Sequence, residues 1–198
     1  MHIAEGVLSP EVLGIGAVLA AIGTIIGLRR LEGKNLVTAA MLSSVFFIGS
    51  LVHVPLGPGS VHLVLNGLLG ILLGPAVFPV ILTALLLQAV LFQFGGLTVL
   101  GVNTFTMAFP AMLCGMAARP WLLRRGSASF IMSFACGFLS VAGSALLTSL
   151  ALIGSEEGFL RAAELLLAAH LPIMIVEGLV TAAAVQVLAR VWPEILRV

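Results

Sequence analysis

Methionine followed by histidine is a chelating pair when the amino group is free. The α-amine of Met1, the backbone nitrogen of His2 and the His2 ring nitrogen Nδ1 can close one five-membered and one six-membered ring around a single metal ion. These three nitrogens lie roughly in a plane and leave one in-plane position open, a geometry that suits nickel(II) or copper(II). A further residue must fill that position. No Lys or Arg precedes the first apolar stretch, and that stretch is about 20 residues, long enough to span a bilayer, so the terminus is expected to escape cleavage as a signal peptide. A frayed terminal histidine is the competing reading of the same two residues.

Ionisable residues inside apolar stretches are costly and mark functional positions. Here they are His53, His62, His170 and Glu177, with Asn66, Gln88, Gln93 and Asn103 as polar neighbours. For His53 and His170 a ring bonded to a backbone carbonyl competes with a role at a metal; His62 is the favoured ligand. His170 and Glu177 are seven residues apart, so on a helix they share a face two turns apart. Glu177 then either orients a ligating imidazole, as carboxylates around metal sites do, or bonds another helix as a structural group. Asn66, one turn past His62 in a helical reading, is a candidate for the same work. Walker A, H-E-x-x-H, G-x-S-x-G and Rossmann patterns are all missing, so binding is expected and turnover is not. Cys114 and Cys136 have neither zinc-site nor redox spacing and read as packing residues.

The elements that must position these groups are membrane helices. Apolar residues make up 61% of 198 and charged residues 9%, and mean hydropathy is +1.24, which excludes an ordinary soluble domain. A single transmembrane metal-binding domain over 1–198 is the natural organisation, with no room for a soluble catalytic domain. Net charge is +1, and no charged tail points to nucleic acid. Apolar stretches cover about 10–29, 36–53, 61–73, 76–94, 102–118, 128–153 and 160–191. Basic residues collect on the cytoplasmic side. Arg29, Arg30, Lys34, Arg119, Arg124, Arg125, Arg190 and Arg197 follow odd-numbered stretches, which puts the amino terminus outside and the carboxyl terminus inside. Two lengths are awkward. The 61–73 stretch makes a helix of only about 20 Å, so either it starts below the surface or 61–94 is a re-entrant hairpin. The last stretch is too long, and a break at His170-Leu171-Pro172 is predicted, with 157–169 an amphipathic surface helix and 173–191 the span. Gly67, Gly70 and Gly74 are spaced for close helix contact.

The opening Met1-His2-Ile3-x-Glu5-Gly6-x-Leu8-Ser9-Pro10 resembles the start of the substrate-binding membrane subunit of cobalt and nickel energy-coupling factor transporters, the CbiM/NikM family. His53-Val54-Pro55-Leu56-Gly57-Pro58 through Ser60-Val61-His62-Leu63 resembles the family's loop with its ligand histidine. Phe94-Gly95-Gly96-Leu97-Thr98 with Gly101-Val102-Asn103-Thr104, and His170-Leu171-Pro172-Ile173-Met174 with Glu177-Gly178, resemble two further signatures. The likeness runs over nearly the whole chain. It implies an all-α fold of about seven transmembrane helices, a six-helix core plus one at the amino terminus. It implies Met1, His2 and His62 as metal ligands, with His53, Asn66, Asn103, His170 and Glu177 in supporting or access positions. His53 stands where nickel-type members commonly have asparagine, and Val-Leu-Asn follows His62 where they commonly have a glycine-rich run, which leaves Co(II) and Ni(II) both open as the transported substrate.

The same resemblance implies a multi-pass protein of a prokaryotic cytoplasmic membrane. It implies a transmembrane coupling subunit and two ATP-binding subunits as partners, with a small accessory membrane subunit as a further candidate. The main alternative is a stand-alone secondary metal permease, which should carry ionisable residues along its whole pathway; the inner halves of these stretches have almost none. An intramembrane metalloenzyme, the second alternative, needs a nucleophile or activated water beside a base, and no such pair stands out.

Overall fold

The computed structural model describes residues 3–31, 33–51, 53–56, 59–123 and 127–196, with only the backbone given for Lys34, Asn35, residues 53–56 and 59–62, and Glu157. Helix α1 (Pro10–Leu28) starts where Ser9 accepts from the Val12 N–H at 3.4 Å and Pro10 supplies a preset φ. Then follow α2 (Lys34–Gly49), a two-stranded antiparallel ribbon of β1 (His53–Leu56) and β2 (Gly59–His62), α3 (Asn66–Leu73), a 3-10 turn at Gly74–Ala76, and α4 (Val77–Phe92). Three long helices complete the chain, α5 (Leu100–Leu122), α6 (Ser127–Ser155) and α7 (Leu160–Val191).

Among the described residues five helical runs are long and apolar enough to cross a membrane: α1, Asn66–Phe92, α5, α6 and α7. The apolar part of α2, Leu36–Gly49, is shorter. Outward positions carry large apolar side chains, with Ile15 at 62% and Val18 at 60% exposure, which is what a lipid-facing belt requires. The fold is thus a helical membrane bundle, as its sequence pattern leads one to expect. The ribbon is an addition that the pattern did not reveal.

Asn66–Phe92 does not run straight. Along α3, Asn66 bonds the Met107 carbonyl and Arg119 Nε bonds the Ile71 carbonyl at 3.0 Å, so α3 descends parallel to α5. Gly74, at φ 54, then breaks the helix. Helix α4 climbs back alongside α2, with Ser43 Oγ on the Val80 carbonyl and Gln88 bonded to Ser50. The 61–94 unit therefore crosses to the far end and returns. Helix α3 is 8 residues long, about 12 Å, because residues 61–62 belong to a strand and 63–65 form an irregular bend, so the 61–73 stretch is not one helix. It starts level with Met107, seven residues into α5, about 10 Å below the end at which α5 begins.

Small residues permit this burial. A Cβ on Gly70 would lie 1.8 Å from the Ala111 carbonyl oxygen, and one on Gly67 would lie 2.5 Å from the Gly137 Cα, so α3 touches α5 and α6 backbone to backbone.

The predicted break at Pro172 does not occur. Helix α7 runs unbroken for 32 residues, preceded by a 3-10 turn at Glu157–Phe159. Proline removes one backbone bond, but ending the helix there would strip several more backbone groups of partners in an apolar setting. Pro110 and Pro120 sit inside α5 on the same terms.

Candidate metal centre

The site is assembled from the amino-terminal segment inward. Ile3, 1% exposed, is held at both backbone groups by one side chain: its N–H donates to Asn103 Oδ1 at 3.0 Å and its carbonyl accepts from Asn103 Nδ2 at 3.1 Å. Asn103 is itself buried, one turn into α5. A second clasp lies beside it. The Glu5 N–H donates to the Gly95 carbonyl at 3.2 Å, and Glu5 Oε1 accepts from the Thr98 N–H at 3.0 Å. That N–H is the main reason the Glu5 carboxyl titrates below its ordinary value. Gly96, at φ +146, leaves room for the glutamate, since a Cβ there would fall 1.9 Å from Glu5 Cγ. Both clasps steer the segment over the start of α5 and into the bundle. Met1 and His2, the first two candidate ligands, lie outside the described residues.

Backbone register sets His53 of β1 directly opposite His62 of β2. Residues downstream of His62 are fixed from α7: Glu177 Oε1 accepts from the Val64 N–H and, at 2.7 Å, from the Leu65 N–H. These amides stand at the entrance of α3, where helix donors lack partners and a negative group is favoured. Leu65 itself takes φ 58, a conformation costly for a non-glycine residue, at the bend between ribbon and helix. Glu177 is 0% exposed, and of the two roles open to it the observed bonds are to backbone on another element. Asn66 is not one helical turn past His62, because His62 ends a strand; its amide instead reaches Met107 O at 3.3 Å and Ser144 Oγ at 3.0 Å.

His170, 0% exposed, lies inside α7 with Nδ1 2.6 Å from the Leu166 carbonyl. A carbonyl only accepts, so Nδ1 carries the hydrogen and Nε2 the lone pair. Among the described residues His170 Nε2, Glu177 Oε2 and Asn66 Oδ1 are buried without a hydrogen-bond partner, and no group of three or more His, Cys, Asp or Glu forms a metal cluster. The roles of Glu5, Gly96 and Ser144 were missed in the sequence, although Glu5 and Gly96 sit inside the motifs that stood out.

A cavity of about 430 Å³ lies elsewhere, at the end where α1, α5 and α7 finish, lined by Arg30, Pro75, Arg119 and Trp192 among others. It offers no imidazole, so this cavity is not the metal centre.

Comparison with known proteins decides the family. The pattern described as the cobalt uptake substrate-specific transmembrane region, CbiM, matches residues 2–195. The chain belongs to the CbiM family. A Haemophilus influenzae protein provisionally named as a metal transport protein is 40% identical, covering 99% of this chain and 97% of that one. The cobalt transport protein CbiM of Geobacter sulfurreducens is 30% identical over 99% of this chain, which spans 61% of that relative's length. The crystal structure of a truncated transition metal transporter superposes with a TM-score of 0.80 at 27% identity, covering 96% of this chain and 99% of that one. This CbiM chain is thus a multi-pass transmembrane component of cobalt or nickel uptake, akin to proteins named for transport and not for catalysis.

Proposed function

We propose that this CbiM protein is the substrate-capture subunit of an energy-coupling factor transporter. It takes Co(II) or Ni(II) from outside the cytoplasmic membrane and holds it with the Met1 α-amine, the His2 amide and ring nitrogens, and His62. His53, Asn66, Asn103, His170 and Glu177 support or give access to that chelate. The carboxyl terminus faces the cytoplasm, and inward release requires a transmembrane coupling subunit and ATP-hydrolysing subunits, since the chain has no nucleotide-binding motif.

The observation that carries this reading is the anchoring of Ile3. Asn103 ties both its backbone groups inside the bundle, and two residues upstream reach about 7 Å further. That anchoring supports a reading in which a free terminus shares a metal with His62, whose strand leads into the Glu177-held bend.

The test is metal analysis and calorimetry on protein with its terminus native, compared with a variant carrying one alanine inserted between Met1 and His2. The insertion displaces His2 from the second position, and Ni(II) affinity should fall by at least about 100-fold. Unchanged affinity would refute the chelate.

A further inference from the structure

We propose that the cavity of about 430 Å³ at the end where α1, α5 and α7 finish is a seat for the headgroup of a membrane phospholipid: Arg119 and Arg30 take its phosphate, and Glu194 takes hydrogens from the hydroxyl or amine that the headgroup carries.

The first step is a guanidinium held in place. Arg119 Nε donates to the Ile71 carbonyl at 3.0 Å, in the last turn of α3, and the group lies against the turn that follows, where a Cβ on Gly74 would fall 3.0 Å from Nη2. Nη2 is buried and has no acceptor among the described residues. A cationic donor kept from water without an acceptor is costly. Arg119 lines the cavity, so an anionic oxygen seated there can serve it.

The second step is the set of charges. Arg30 and Glu194 line the same cavity, and neither is ion-paired: among the described residues the sole ion pair is Arg161 with Glu164. Glu194 sits on the 3-10 turn Pro193–Leu196, which Leu196 pins by burial. Two guanidinium groups suit one phosphate, whose oxygens they bind in bidentate fashion. The carboxylate then needs a donor, which a glycerol or ethanolamine headgroup supplies and a choline headgroup lacks. By chain position, eight of the nine basic residues fall in the segments that meet at this end, against two of the eight acidic ones, and such a basic end attracts lipid phosphate.

The third step is depth. Trp192 lines the cavity and is 52% exposed; Trp121, the only other tryptophan, is 37% exposed and lies two residues past Arg119. Tryptophan collects at the level of lipid headgroups, and the abundant anion at that level is phospholipid phosphate. Leu28 and Val37, next to the cavity-lining residues Arg30 and Thr38 along the chain, are exposed and offer acyl chains an apolar surface. The volume falls within the range of about 300–1,000 Å³ of small-ligand pockets. It suits one headgroup, and not a helix of a partner protein.

The experiment is native mass spectrometry of the full chain in detergent supplemented with equal amounts of phosphatidylglycerol, phosphatidylethanolamine and phosphatidylcholine of the same acyl chains. Expected is one retained phospholipid per chain, of the glycerol or ethanolamine class. Arg119→Gln should reduce retention by at least about tenfold, the cost of losing a charge-assisted contact. Arg30→Gln should reduce it by about fivefold with an unchanged melting temperature, which keeps the test intact should Arg119→Gln fail to fold. Glu194→Ala should erase the discrimination against choline. No retained lipid in the wild type, or retention unaltered in Arg30→Gln and Arg119→Gln, overturns the proposal. Displacement of the lipid by an equal concentration of inorganic phosphate would make the cavity a site for soluble phosphate and overturn the lipid assignment. Absence of lipid combined with loss of a co-purifying partner subunit in the same variants would overturn it in favour of protein docking.

Discussion

Replacing Asn103 by alanine removes both bonds to Ile3 in one step. Each is a buried amide–carbonyl contact contributing about 0.5–1.5 kcal/mol net, so the anchor as a whole is worth about 1–3 kcal/mol. A larger cost applies only if the Ile3 groups stay buried and unpaired, and a segment this close to the chain's end can move outward to water instead. If metal binding requires the anchored state, that energy appears as a loss of affinity of roughly 5 to 150-fold. The assay is calorimetric titration of Ni(II) into detergent-solubilised protein with native terminus, alongside thermal melting of the metal-free form. Asn103→Asp is the informative partner. It keeps an acceptor for the Ile3 N–H, loses the donor for the Ile3 carbonyl and should fall between wild type and alanine. A metal affinity within twofold of wild type in Asn103→Ala, with the melt lowered, would show that the anchor serves the fold alone.

His62→Ala should lose metal far more severely than His53→Ala, even though the two residues are paired in the ribbon register; equal losses in calorimetry would mean that the ligand is misassigned. Gly70→Ala should destabilise the bundle by about 1–3 kcal/mol or more, since backbone lies on both sides of the clash; an unchanged melting temperature would refute the backbone packing of α3 on α5. Glu5 offers a pH test. Its carboxyl is held below the ordinary 4.5, so its support for the clasp is complete above that value and is lost as pH falls through the lower folded value. The protection factor of the Thr98 amide, its exchange relative to the intrinsic rate at each pH, should fall as pH drops below 4.5, and Glu5→Gln should abolish that fall; a protection factor constant with pH in the wild type would show that the carboxylate does not hold the amide.

Much of this protein was legible in one dimension because burial in lipid writes itself into local composition. Long apolar runs, the cost of an ionisable group inside them and the close-contact glycines of α3 are properties of single segments, readable without knowing what each segment touches. The Met1-His2 pairing that suggests a chelate is local too, since adjacency alone brings its three nitrogens together, whereas the fourth ligand has to come from elsewhere in the chain. Where local rules misled, a cost that decides matters in water was outweighed in an apolar setting. Pro172 loses one hydrogen bond, yet α7 continues because ending it would orphan more. Other decisions needed the tertiary structure. Asn103 and Ile3 are separated by 100 positions, and Glu177 and Val64 by 113. No periodicity encodes which buried polar group meets which backbone, since that follows from helices packed close enough for an interior amide or carboxylate to find the one unpaired N–H within reach.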